Sequence, residues 1–406
     1  MMSHGYNPEW SEGSVKPPIF QTSTFVFKNA AEGKRFFEVA YGKSTLNKDE
    51  QLGLIYSRIN NPNMEILEER LSVLEDSEDA AAFESGMSAI STTMLTYLKP
   101  GDTILFSNPT YGGTHSFANN FLKSIGVNIV SFHSESKFSE IIKKLHSKNL
   151  AKSLKMIYVE TPANPTNSLI DLKLVQKVKN KICKDFSSEI ITVADNTYLG
   201  PLWQNPLKYG IDIVCYSATK FLNGHSDVIA GAIMGSKEKI SKVKNLRTFL
   251  GSMIAPYTAW LLTRSLETLH VRMNYQLLNT KKVVDFLLGH KKVKKVYFPG
   301  LESMGKRQQE IFKSQCLAGG AMIGFEVRGN EKSAFKLLNS LKLIKLAVSL
   351  GSNESLAQHP YSMTHCDVPD DVKKKIGITQ GLIRLSVGIE NAEDIIDDLS
   401  KALKKL

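Results

Sequence analysis

Short apolar strands alternate with helical patterns over the first two thirds of the chain, and a second, shorter series of strand and helix patterns follows. Together they predict an α/β protein with a mostly parallel sheet in a large domain and a smaller C-terminal α+β domain. The strand candidates are almost continuously apolar, as strands covered on both faces must be. A long helical pattern from about Ala255 to Leu288 separates the two series, and 406 residues with 42% hydrophobic content are enough for two cores.

Residues 1–60 carry Pro, Gly and Asn punctuation with few periodic runs, and read as an extended arm lying on another surface. From Asn63 the string "NMEILEERLSVLED" places Ile66, Leu67, Leu71 and Leu74 at helical spacing behind an asparagine cap. Strand candidates follow at 80–83, 103–107, 128–132, 155–160, 190–194, 212–217 and 228–234, with helical patterns such as "SAISTTMLTYLK" and "DLKLVQKVKNKICKD" between them. Residues 61–255 are assigned to the large domain and 256–406 to the C-terminal one. In the latter, "AMIGFEV", "LKLIKLA" and "LIRLSVG" read as strands and "NAEDIIDDLSKALKKL" as a terminal amphipathic helix.

The net charge of +11 comes mainly from lysines spread over helical faces, without the Arg and aromatic interleaving of nucleic-acid readers. The four cysteines are far apart and show no C-x-x-C spacing, so neither a metal site nor a disulfide framework is expected, and a reducing cytoplasm fits. The opening "MMSHGYNPEW" has no secretory pattern, and no apolar run approaches the roughly 18 residues needed to span a bilayer. The expectation is a soluble cytoplasmic protein with a small-molecule partner, without nucleic acid or membrane.

Ligands of parallel sheets bind at the carboxyl ends of the strands. Lys220 lies just past the strand "DIVCYS", where it is either a solvated residue or a partly desolvated amine able to act as a nucleophile. Ser217 and Thr219 before it offer hydroxyls to a phosphate. Asp195, directly after "IITVA", is either a turn cap or a carboxylate needing a cationic partner, such as a protonated pyridine nitrogen. In "ESGMSA", Gly86 and Met87 open a helix whose free N–H groups can hold an anion, although Ser-Gly there also serves as an ordinary cap.

Read together, "YSRINNPN" (56–63), "ESGMSA" (84–89), "NPTYGGT" (108–114), "ETPANPT" (160–166), "ADNTYLGP" (194–201), "YSATKFLNGHSD" (216–227), "AVSLGSNESLAQHP" (347–360), "SMTH" (362–365) and "IRLSVGIE" (383–390) carry a resemblance. The chain is similar, from about residue 15 to its C-terminus, to the Cys/Met metabolism family of pyridoxal 5'-phosphate (PLP)-dependent enzymes. That family includes cystathionine β- and γ-lyases, methionine γ-lyase, cystathionine γ-synthase and O-acetylhomoserine sulfhydrylase. The resemblance implies the aminotransferase-like fold (fold type I). It implies that Lys220 bonds to the cofactor aldehyde and moves the substrate proton, that Asp195 partners the ring nitrogen, and that Ser217, Thr219, Gly86 and Met87 hold the phosphate. It further implies that Asn164 touches the phenolic oxygen, that Tyr111 stacks on the ring and assists the leaving group, and that Ser349 and Arg384 bind the substrate carboxylate. Tyr56 and Arg58 would reach the phosphate of a neighbouring subunit, so active sites are shared within a homotetramer, a dimer of dimers.

On the same resemblance, methionine γ-lyases typically carry a cysteine where this chain has Gly113, and their Lys-Asp pair is missing near "LRTFLGS". Cystathionine γ-lyases and γ-synthases commonly place Glu before the serine, where this chain has Val348. Some cystathionine β-lyases share "AVSLG". The leading expectation is a carbon–sulfur lyase of the cystathionine β/γ-lyase type, releasing a thiol, ammonia and a 2-oxo acid. The alternatives are methionine γ-lyase, a γ-replacement enzyme, and, without enzymatic function, a basic binding protein on an inactive fold.

Overall fold

The strands form where the sequence is apolar without interruption. β1 (Asp79–Phe83), β2 (Thr103–Ser107), β3 (Asn128–Phe132), β4 (Leu154–Glu160), β5 (Ile191–Asp195), β6 (Ile213–Tyr216) and β7 (Gly231–Gly235) make one sheet in the order β1-β7-β6-β5-β4-β2-β3. The computed structural model describes residues 2–48, 50, 53–366 and 368–406. Every pairing in the sheet is parallel except the two made by β7. The carboxyl ends of the other six strands therefore share one edge, and the β6–β7 connection carrying Lys220 returns across it. The seventh strand starts at Gly231, three residues later than the apolar string suggested, because residues 228–230 make no ladder.

Helices cover the sheet. α1 (Ala30–Ala40), capped by Asn29, lies inside the segment read as an extended arm. α2 (Pro62–Glu75) buries Ile66, Leu67 and Leu71, the last two against the sheet, at about 1.5–3 kcal/mol for each side chain. Its cap is Asn61, with Pro62 in the first turn, and not Asn63. Asn63 instead holds the arm: it accepts the Phe20 N–H at 2.7 Å and donates to the Pro18 carbonyl at 2.8 Å. α3 (Gly86–Tyr97) follows β1 and points its start at the strand-end edge.

The long helical pattern is two helices, Pro256–Leu266 and Leu269–Gly289. Ala259, Leu262, Leu266, Leu269 and Met273 pack in a core of the first sheet, whereas Val283, Val284 and Leu287 pack in the core of the second. The second sheet has the order β10-β11-β12-β9-β8, built from β8 (Val293–Tyr297), β9 (Met322–Val327), β10 (Lys345–Leu346), β11 (Leu356–Gln358) and β12 (Leu382–Ser386). β8 escapes the apolar pattern because Lys294 and Lys295 are both exposed where its register shifts. The helix Ala392–Lys404 buries Ile395, Leu399, Ala402 and Leu403 on this sheet. No helix among the described residues is long and apolar enough to cross a membrane.

Candidate active site

The strand-end edge of the first sheet meets β12 around a cavity of about 390 Å³. Gly86, Met87, Tyr111, Asn164, Asp195, Ser217, Thr219, Lys220, Ser349 and Arg384, distant in sequence, all line it. Tyr56 and Arg58 do not. Arg58 Nη1 donates to the Thr248 carbonyl at 2.7 Å and its guanidinium lies 5.9 Å from the Tyr56 ring, away from this chain's own cavity.

Lys220 sits in a tight turn after β6 whose carbonyls are bound by a buried arginine. Arg272 Nη1 donates to Phe221 O at 3.0 Å, and Nη2 to Ser265 O at the same distance. The turn sets Lys220 Nζ 2.9 Å from Ser349 Oγ, to which it donates. Burial, helped by the charge of Arg384, brings the ammonium down to about 8, so the free amine is accessible near neutral pH. Ser349 has φ 86°, a left-handed backbone that a serine adopts only when its surroundings impose it. Its carbonyl accepts Arg384 Nη2 at 2.6 Å.

Asp195 ends β5 and is 5% exposed. It accepts from Thr197 N at 3.0 Å and from the Tyr158 hydroxyl at 3.3 Å, and no cation among the described residues pairs with it. Burial pushes its carboxyl up, against those two donors. Beside it in register on β4 stands Glu160, which side-chain alternation places on the same face. Glu160 accepts the Tyr111 N–H at 2.5 Å and the Asn164 N–H at 3.0 Å, so one carboxyl ties the two loops that present those residues. Burial, and then the charge of Asp195, push Glu160 up as well.

Glu160 and Arg272 were not singled out from the sequence. Glu160 opens the quoted "ETPANPT", yet a strand-final glutamate signals nothing until its neighbour across the ladder is known. Arg272 is one cation in a helix.

At the other end of the cavity, Ser85 caps α3 by accepting the Ser88 N–H at 3.0 Å. A Cβ on Gly86 would lie 2.8 Å from Ser217 Cβ, so only glycine lets this helix start approach the β6 strand end. Ser217 and Thr219 stand opposite, the Thr219 hydroxyl already exchanging hydrogen bonds with the main chain of Ala230. A buried carboxylate without a cation at one end and a helix N-terminus with hydroxyls at the other suit a flat ligand with a basic ring nitrogen and a phosphate. The residues thus fit PLP. No group of His, Cys, Asp and Glu among the described residues could hold a metal ion.

Fold and site define a PLP-dependent enzyme with its lysine at a strand end. The chain belongs to the Cys/Met metabolism PLP-dependent enzyme family, whose model matches residues 1–404, and PLP is its cofactor. An L-methionine γ-lyase of Fusobacterium nucleatum is 41% identical over 97% of this chain and 94% of its own. A cystathionine γ-lyase of Sus scrofa is 38% identical over 98% of this chain and 91% of its own. Among solved structures, a cystathionine γ-synthase of Xanthomonas oryzae, in complex with aminoacrylate and cysteine, superposes with a TM-score of 0.87 at 32% identity, covering 100% of this chain and 96% of that one.

Proposed function

We propose that the protein is a carbon–sulfur lyase of sulfur amino acids, of the cystathionine β/γ-lyase type, which expels a thiol and releases ammonia and a 2-oxo acid. The observation that carries this reading is the convergence of Lys220, Asp195 and Arg384 on one cavity. Bound there, PLP supplies an electron sink for the pair left when the substrate Cα–H bond breaks.

The chain's own residues do the rest. Arg384, with Ser349, holds the α-carboxylate over Lys220. Lys220 takes the Cα proton, which an amine titrating near neutrality can both accept and return. Asp195 keeps the ring nitrogen protonated, and Ser217, Thr219 and the main chain at Gly86 and Met87 hold the phosphate. Asn164 would hold the phenolic oxygen. Tyr111, 45% exposed at the mouth, would hold the ring and deliver a proton to the departing sulfur. Tyr56 and Arg58 act on the phosphate of a second copy, in a cytoplasmic dimer of dimers.

A second reading, methionine γ-elimination, is favoured by the mouth of the cavity. Exposed Val348 and Ile229 line it, and its carboxyls among the described lining residues are the buried Glu160 and Asp195. Among the described lining residues no exposed carboxylate receives the distal ammonium of cystathionine, whereas a neutral thioether suits an apolar wall. The L-methionine γ-lyase relative points the same way.

The test is a substrate panel of cystathionine, methionine, homocysteine, cysteine and O-acetylhomoserine, with and without added thiol, following 2-oxobutyrate and pyruvate by mass. Elimination independent of thiol is expected. A product requiring the added thiol would make the protein a γ-replacement enzyme and overturn the reading.

A further inference from the structure

Among the described residues, two that line the cavity have a buried polar atom without a hydrogen-bond partner: the Tyr198 hydroxyl and Arg384 Nε. Tyr198 is 3% exposed and its ring belongs to the core behind the site. It follows Asp195 in a turn closed by Gly200 N donating to Asn196 O at 2.8 Å, so the β5 end that aims Asp195 also fixes Tyr198. A buried hydroxyl left unpaired is costly, and the cost disappears when a ligand brings an acceptor.

The surroundings identify the acceptor. Arg384 places one Nη2 hydrogen on the Ser349 carbonyl and one Nη1 hydrogen on Asn164 Oδ1 at 3.3 Å, and its Nε has no partner among the described residues. Two residues that line one cavity, each with a donor unpaired among the described residues, match the two oxygens of a carboxylate. We infer that Tyr198 is a second ligand of the substrate α-carboxylate, its hydroxyl donating to one oxygen while Arg384 Nε donates to the other. The inference rests on the amino-acid substrate proposed above and adds a residue to its recognition.

Tyr198→Phe removes only the hydroxyl and keeps the packed ring. The probe is glycine, an amino acid with no leaving group, titrated into the PLP-loaded protein and followed by the cofactor absorption. Glycine affinity is expected to fall about tenfold, the scale of one hydrogen bond to a charged group. KM for methionine and cystathionine should rise in parallel with kcat held within about twofold. Cofactor content and circular dichroism should match the parent protein. An unchanged glycine affinity would overturn the inference. So would a change confined to the pH midpoint of the cofactor absorption, which would assign the hydroxyl to the cofactor's phenolic oxygen. If the parent protein eliminates no thiol while Tyr198→Phe still weakens glycine, the lyase reading fails and the carboxylate contact stands.

Discussion

Two of the places where the first sheet buries charge treat it in opposite ways. Behind β1, Glu68 accepts from Arg247 at 2.5 Å and from Lys244 at 3.0 Å, Lys244 reaches Asp79 at 2.8 Å, and the Ala82 N–H donates to Glu68 at 2.9 Å. Burial alone would push Glu68 up, but the two cations outweigh it and hold its carboxyl below the usual carboxylate range. At the strand ends, Asp195 and Glu160 are as deeply buried and have no cation among the described residues, so both are pushed up. At these two places, charge satisfied from within the chain builds the fold, and charge left unsatisfied at the cavity suits a ligand.

Four substitutions test that contrast. The largest effect is expected for Lys220→Ala, with turnover falling by at least about 10³-fold because both the cofactor bond and the proton carrier are lost; near-normal turnover would refute its role. Glu68→Gln should leave the cofactor in place and cost about 3–5 kcal/mol in denaturant unfolding, since it strands the buried Arg247 and leaves Lys244 with Asp79 alone. The sign with pH follows from its lowered value. Glu68 stabilises above its unfolded value of 4.5, and that contribution is lost as pH falls through the folded one, so the gap between variant and parent should close in acid. Equal destabilisation at all pH values would show that the ion pairs are not its source.

Arg58→Ala should weaken cofactor retention about tenfold, with monomer stability little changed, if Arg58 serves a neighbouring copy. Unchanged PLP affinity would remove the shared-site proposal. The smallest effect concerns Glu75, fully buried with the Tyr216 hydroxyl as donor and pushed up to about 8 by burial. The folded state binds the extra proton between 4.5 and about 8, so stability falls as pH rises across that window. Glu75→Gln should flatten this slope and gain on the parent at pH 8 relative to pH 5, read as thermal midpoints at the two values.

The Lys220 and Asp195 positions were legible because each follows an apolar strand, and strand ends of a parallel sheet point to the ligand edge. Gly86 and Arg384 became legible only in the company of the other motifs. Glu160 needed the β4–β5 register, Arg272 needed the turn it supports, and Tyr198 needed the knowledge that no described residue pairs with its hydroxyl. The asparagine cap was placed two residues late because Asn61 and Asn63 are the same residue type within one turn, and only the arm's contacts separate their tasks.

By itself the amino-acid order determined the strand and helix periodicities, the α/β class and the set of residues competent for PLP chemistry, since these depend on residue type and near neighbours. The tertiary structure decided which of those residues share a cavity, which buried charges go unpaired, and that Tyr56 and Arg58 turn away from their own chain's site. Those properties are set by contacts between segments as far apart as Asn164 and Arg384, and desolvation and charge pairing act through space, not along the chain.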